Sequence, residues 1–169
     1  MTAYITKIGV LSDTHLLTPD PILDMILDQM FRDMDMILHA GDIVSLQVFH
    51  RLEERGVVAV CGNMDDFELQ GILPPKRVVS LGTKRIGLMH GWGAKDGLAE
   101  RIHERFAAES PDVIVFGHSH VPFFGKVSGT LMFNPGAAAR NRYGPQGGTV
   151  GVVEIVGDAI NGIHIPIDR

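Results

Sequence analysis

The sequence predicts an α/β fold in which two packed sheets carry helices on their outer faces. Three observations lead there. Short apolar runs end in polar or glycine-rich turns, amphipathic helical segments separate several of them, and the last third shows strand patterns with no helix between them. Ile5 to Leu11, Met36 to His39, Val57 to Cys61, Arg85 to His90 and Val113 to Phe116 are the apolar runs, and they read as strands covered on both faces. Pro21 to Met34 carries Leu23, Ile26, Leu27, Met30 and Met34 at helical spacing, with Asp20 as N-cap and Pro21 in the first helical position. Leu46 to Arg55 lies between Ser45 and Gly56, and Gly97 to Ala108 follows Asp96 with Leu98, Ile102 and Phe106 on one face, giving two more helices. After His120, Phe123 to Val127, Leu131 to Asn134, Thr149 to Val156 and Ala159 to Ile165 read as strands, the last two joined by a two-residue turn at Gly157-Asp158. A second sheet built from these late strands is expected to pack on a first one built from the early strands. Pro135 to Gly148 is the one long irregular segment and suits a surface loop near a site.

Composition sets limits on class. The 169 residues, 45% apolar and 21% charged, fit one compact domain over residues 1–169. Cys61 is the single cysteine, so no intrachain disulfide forms and a reducing, cytoplasmic setting is expected. The first ten residues lack the basic start and cleavage site of a signal peptide, and no apolar run approaches the roughly 18 residues of a membrane span. A formal charge of −5 argues against tight binding to nucleic acid. A homo-oligomer is left open.

The ends of the strand-like runs carry the chemistry. Asp13-x-His15, Gly41-Asp42, Gly62-Asn63, His90-Gly91 and Gly117-His118-Ser119-His120 each close such a run, so seven potential ligands are expected at one sheet edge. Two carboxylates, four imidazoles and one amide oxygen suit borderline divalent metals. Any one of these motifs alone reads as an ordinary turn cap; five in order point to a two-metal hydrolase. Two ions about 3.5 to 4 Å apart can share a hydroxide, lower its pKa and clamp phosphoryl oxygens for in-line attack.

This ordered set, with Met64 and Asp65 after Asn63, resembles the calcineurin-like metallophosphoesterase superfamily, and the small size resembles its compact bacterial and archaeal phosphodiesterase branch. The resemblance implies a four-layer α/β/β/α sandwich of two mixed sheets flanked by helices. It implies Asp13, His15 and His120 on one metal, Asn63, His90 and His118 on the other, and Asp42 bridging both. Asp42, Asn63 and His90 are then catalytic as well as metal-binding. Two divalent ions per chain are expected, Mn²⁺ first, with Ni²⁺, Zn²⁺, Fe²⁺ or Mg²⁺ as alternatives. The implied activity is hydrolysis of a small organic phosphodiester by a metal-bridging hydroxide. A phosphomonoesterase or nucleotide hydrolase on the same site is the alternative. A non-catalytic module like the eukaryotic retromer scaffold subunit is another, but that relative's degraded metal site contrasts with the intact positions here.

One departure from the family stands out. Many relatives carry a histidine directly after the asparagine, where it can protonate the leaving oxygen; this chain has Met64 and then Asp65. Asp65 is a candidate general acid, or else a turn residue. Arg140, with Arg142 near it, follows Asn134-Pro135-Gly136 and is a candidate phosphate ligand. His39 reads as a satisfied core histidine or a residue orienting a ligand, and Cys61 as a small buried apolar residue. Trp92 and Phe67 could stack on a base or aryl group, or could fill the pocket wall.

Overall fold

The structure, a computed structural model, describes residues 5–139 and 147–168. It contains two five-stranded mixed sheets. The first has the order β10-β9-β1-β2-β3, built from β1 (Ile5–Leu11), β2 (Met36–His39), β3 (Val58–Ala59), β9 (Thr149–Val156) and β10 (Ala159–Pro166). The second has the order β4-β5-β6-β8-β7, from β4 (Lys76–Leu81), β5 (Lys84–Met89), β6 (Val113–Phe116), β7 (Phe123–Val127) and β8 (Thr130–Asn134). Helices α1 (Pro21–Met25), followed directly by a π-helical turn (Ile26–Met30), α2 (Leu46–Glu53), α3 (Phe67–Ile72) and α4 (Leu98–Glu104) complete the described elements.

Strand alternation explains the layers. Ile8 and Val10 of β1 join Leu38, Ile86, Leu88, Val113 and Val115 in a core between the sheets. On the other face, Leu11 packs with Leu23, Leu27, Phe31, Val48 and Leu52 beneath α1 and α2. Ile114 and Phe116 of β6 turn outward under α4, against Leu98, Ile102 and Phe106. The four layers α/β/β/α follow from these three clusters.

The division of strands between sheets differs from the expected one. The late hairpin β9–β10 does not join the second sheet but pairs antiparallel with β1, Gly9 opposite Val152, while β5 and β6 leave the early strands for the second sheet. Periodicity identifies a strand face but not its distant partner. The candidate site therefore lies where strand ends of two sheets meet, rather than along one sheet edge. Two further elements carry no strong sequence pattern: β4, whose Lys76, Arg77 and Ser80 break the apolar run, and α3, a short helix containing Gly71.

Helix boundaries shift for local reasons. Asp20 caps α1 by accepting from Leu23 N at 2.8 Å, as expected, but the helix then widens into a π-type turn over Ile26–Met30 closed by Phe31 N donating to Ile26 O at 2.9 Å. That turn sets Phe31 over Gly9, where a Cβ would come within 2.8 Å of the ring. The hairpin turn at Gly157-Asp158 is as expected, Val156 pairing with Ala159.

Candidate metal centre

The exits of β1 and β2 are tied together by Asp13 N donating to Gly41 O at 3.0 Å and His15 N to Asp42 O at 3.2 Å. On the second sheet, Gly117 N donates to His90 O at 3.1 Å. Asp13 (φ 54°), His15 (φ 48°), Asp42 (φ 59°), His118 (φ 68°) and His120 (φ 61°) all adopt left-handed backbone. Such conformations cost on the order of 1–3 kcal/mol each and persist at functional sites where surrounding structure fixes them. Motif glycines make the close approach possible: a Cβ on Gly62 would lie 2.2 Å from Asp42 Oδ1, and one on Gly117 would lie 2.0 Å from Ser12 Oγ.

The side chains form two donor groups. Asp13 Oδ1 faces His120 Nε2 at 3.1 Å and His15 Nε2 at 3.7 Å, and the two imidazole nitrogens are 3.3 Å apart. Across the site, Asn63 Oδ1 lies 3.1 Å from His90 Nε2 and 3.0 Å from His118 Nδ1. Between them stands Asp42 Oδ2, 3.6 Å from His15 Nε2 and 3.3 Å from His90 Nε2. All seven sequence candidates for metal ligation thus meet in one place. Asp13, Asp42 and His90 are buried beneath the half-buried His15, His118 and His120, and Asn63 opens to solvent.

The donor chemistry fits divalent cations. His90 Nδ1 donates to the Ala40 carbonyl at 2.7 Å, so neutral His90 turns an Nε2 lone pair toward two further acceptors, Asp42 Oδ2 and Asn63 Oδ1. His118 Nε2 likewise donates to Gly93 O at 2.9 Å, leaving its Nδ1 lone pair facing Asn63 Oδ1. Asp13 Oδ1 is buried and, among the described residues, receives no hydrogen bond, whereas its Oδ2 accepts from Ser12 Oγ at 2.6 Å and His118 N at 3.1 Å. Lone pairs converging on lone pairs are unfavourable unless a cation lies among them. Ligand atoms of Asp13, His15 and His120, and of Asp13, Asp42 and His90, fall within 4.8 Å of one another.

Ionisation follows the same logic. Burial opposes the charged form of Asp13, but the His120 and His15 imidazoles outweigh it and hold the carboxyl well below the usual range. Asp42 is also lowered, burial being overcome by His90 and the Met64 amide. Asp13 raises His15 against burial, and for His90 burial is outweighed chiefly by Asp42 and Asp13. In each case a proton on imidazole performs the electrostatic task that a bound cation performs better.

Several residues support this centre. Buried His39 accepts from Gly41 N at 3.1 Å through Nδ1 and contacts Thr14 Oγ1 at 3.2 Å through Nε2, so it is a satisfied core histidine holding the Asp42 turn; burial pushes its pKa down to about 3. Asp65 accepts from Val44 N at 2.7 Å and Gly62 N at 2.6 Å, so both its oxygens clasp backbone turns. Asn134 Nδ2 donates to Gly117 O at 2.8 Å and Ser119 Oγ at 3.1 Å, steadying the segment that carries His118 and His120. Arg101 donates to the carbonyls of Asp96 and Trp92, at 2.8 and 3.0 Å, and to that of Ala94, fixing the loop whose Gly93 carbonyl orients His118. Ser12, Asn134 and Arg101 had no ligand character to reveal them; only the tripeptide Asn134-Pro135-Gly136 hinted at one of them. Cys61 is half-buried with its thiol pushed up to about 11, first by burial and then by Asp65, and it belongs to neither ligand group. Phe67 is 90% exposed. Arg140 and Arg142 lie outside the described residues.

The profile of the calcineurin-like phosphoesterase superfamily domain matches residues 6–158. A probable metallophosphoesterase of Methanothermobacter thermautotrophicus is 36% identical over 135 residues, which cover 77% of this chain and 76% of that relative. Among solved structures, an archaeal phosphodiesterase aligns with a TM-score of 0.72 at 24% identity, over 95% of this chain and 100% of its own. Vps29 of Entamoeba histolytica, solved in complex with zinc, aligns with a TM-score of 0.67 at 20% identity, over 96% of this chain and 100% of its own. Both structures share the fold.

Proposed function

Because the chain belongs to the calcineurin-like phosphoesterase superfamily, we propose that it is a divalent-metal-dependent phosphodiesterase acting on a small organic phosphodiester. The observation that carries this reading is Asp42 Oδ2, which stands between His15 and His90 and so between the two donor groups. Asp13, His15 and His120 would hold one ion, Asn63, His90 and His118 the other, and Asp42 would bridge them, with Mn²⁺ the first candidate. Bound there, two divalent ions supply Lewis-acid polarisation of phosphoryl oxygens and an activated water as nucleophile.

The chain's own residues then bind and orient. Asp13 and Asp42 are ionised at neutral pH, and their two negative charges leave a site loaded with two dications positive toward an anionic ester. The Ala40 and Gly93 carbonyls keep the His90 and His118 lone pairs aimed inward. Asp65, with both oxygens on backbone amides, acts as a turn clasp in this reading rather than as proton donor. Arg140 would be a phosphate ligand in this reading. Preference for diesters draws on the archaeal phosphodiesterase of the same fold. A bound metal does not by itself separate enzyme from scaffold, and turnover must do so.

The test is hydrolysis of a panel of mono- and diesters after metal stripping and reconstitution with Mn²⁺, Ni²⁺, Zn²⁺ or Mg²⁺. Diesters are expected to turn over faster. Faster monoester hydrolysis would transfer the site to a phosphomonoesterase or nucleotide hydrolase, and metal binding without turnover on any ester would favour the scaffold reading.

A further inference from the structure

The segment carrying His118 and His120 has a second face. Ser119, between the two, lines a cleft of about 500 Å³ whose other walls are Gly97, Leu98, Phe116, Val121 and Phe123. The metal centre and the cleft are joined through two segments: Ser119 lies between His118 and His120, and His118 is oriented by Gly93 of the same loop that brings Lys95, Asp96 and Gly97 to the cleft. The floor is apolar, with Leu98 and Phe116 buried. The mouth is apolar too, Val121 being 53% and Phe123 38% exposed. The Phe116 and Phe123 rings stand 6.1 Å apart at 57°, and Phe123 lies back over Gly125, where a Cβ would come within 2.9 Å of the ring. Exposed apolar side chains around a concave, pocket-sized volume beside a reactive centre mark a ligand subsite.

Charge narrows the occupant. The lining carries Lys95 against Asp96 and Glu100, a balance of one negative charge, which disfavours a second phosphate or another anionic group. Two aromatic rings and two aliphatic side chains favour a flat, neutral, apolar one. We propose that this cleft binds the ester substituent of the substrate, a neutral aryl or base-like ring, while its phosphate occupies the metal centre. The assignment rests on the phosphodiesterase reading and makes the cleft the determinant of which diesters are accepted.

The experiment follows the methyl resonances of Leu98 and Val121 by NMR, in zinc-loaded and in metal-free protein, during titration with phenylphosphonate or methylphosphonate. Phenylphosphonate is expected to shift both residues in both forms, and methylphosphonate to shift neither comparably. Ala99→Phe, which fills the cleft from α4, is expected to weaken phenylphosphonate binding about tenfold or more. The same variant, and Phe123→Ala as a second that removes a wall, should lower the ratio of kcat/KM for phenyl p-nitrophenyl phosphate over methyl p-nitrophenyl phosphate. Equal shifts with both phosphonates, no shifts, or an unchanged ratio in both variants would overturn the proposal. Hydrolysis of both esters without phenyl-specific shifts would leave the phosphodiesterase standing and remove the cleft. Phenyl-specific shifts without turnover on any metal would keep the cleft and remove the phosphodiesterase.

Discussion

Met64 N–H donates to Asp42 Oδ1 at 2.8 Å, which fixes that carboxylate with Oδ2 turned toward both His15 and His90. An amide at this position keeps the first contact and loses the second. In Asp42→Asn an NH₂ donor or a neutral oxygen replaces the charge shared by both groups. Metal content of the variant is expected to fall below two ions per chain and turnover to drop by about 10²-fold or more, further than in His15→Ala or Asn63→Ala, each of which leaves one donor group whole. Metal analysis beside kcat checks this; near-normal turnover with two ions bound would remove the bridge.

Glycines at the centre and on the surface should behave oppositely. Gly62→Ala puts a methyl 2.2 Å from Asp42 Oδ1 and 2.3 Å from its backbone nitrogen, so the β2 and β3 turns must separate, at a cost of roughly 1–3 kcal/mol and with weaker metal binding. Gly71→Ala in α3 meets nothing within 4 Å and should stabilise by about 0.4–1 kcal/mol through reduced freedom of the unfolded chain. Denaturant unfolding of metal-free protein reads both signs.

Metal affinity should fall as pH falls. His15 and His90 hold protons more tightly than an ordinary imidazole, and each must release its proton to offer Nε2. Below their raised pKa values, apparent affinity should weaken by up to about tenfold per pH unit for each such group on a given ion. Calorimetric titration in buffers of different ionisation enthalpy should show proton release on binding near and below neutrality. Binding with no proton release at pH 6 would mean that neither imidazole is a ligand.

His39 sets a separate pH dependence on folding. Its native pKa, near 3 through burial, lies below the unfolded value of about 6.5, so between those limits the unfolded chain binds a proton that the native protein does not. Stability is therefore retained above about pH 6.5 and lost as pH falls, by up to ~1.4 kcal/mol per unit from this residue. In metal-free protein, His39→Gln should flatten the slope between pH 6 and 4.5 relative to the parent, although its stability at pH 7.5 is expected to be lower because the contacts to Gly41 and Thr14 are disturbed. Equal slopes would mean that His39 is protonated in the fold.

The residues that could ligate a metal were legible because each sits where an apolar run stops, a pattern that depends on a few neighbours in sequence. β1, β2, β6, β7 and β9 likewise matched their residue ranges, since their apolar character ends at polar or glycine-rich turns. What escaped was set by distant contacts. No local pattern announces that β9 pairs with β1, that Asn134 reaches Gly117 and Ser119, or that Arg101 gathers three carbonyls of the 92–96 loop. The left-handed backbone at five ligand positions was equally hidden, because Asp and His enter that region only when tertiary structure holds them there.

Met64 is 57% exposed beside Asn63, and the neighbouring carboxylate of Asp65 is engaged by the Val44 and Gly62 amides, which in the proposed reading makes it a turn clasp and leaves the leaving oxygen without an acid from this turn. In the phosphodiesterase reading, negative charge then builds on the leaving oxygen in the transition state, and rates should fall steeply as the leaving group's pKa rises. Met64→His introduces an imidazole at an exposed position and should restore poor leaving groups selectively, by about 10²-fold where positioned acid catalysis operates, with little gain for p-nitrophenolate. A leaving-group series of aryl and alkyl diesters on both proteins reads the two slopes. A shallow slope in the parent protein would mean that another donor, Arg140 or solvent at the metal centre, already supplies the proton; parallel slopes would mean that the new imidazole does not reach the oxygen.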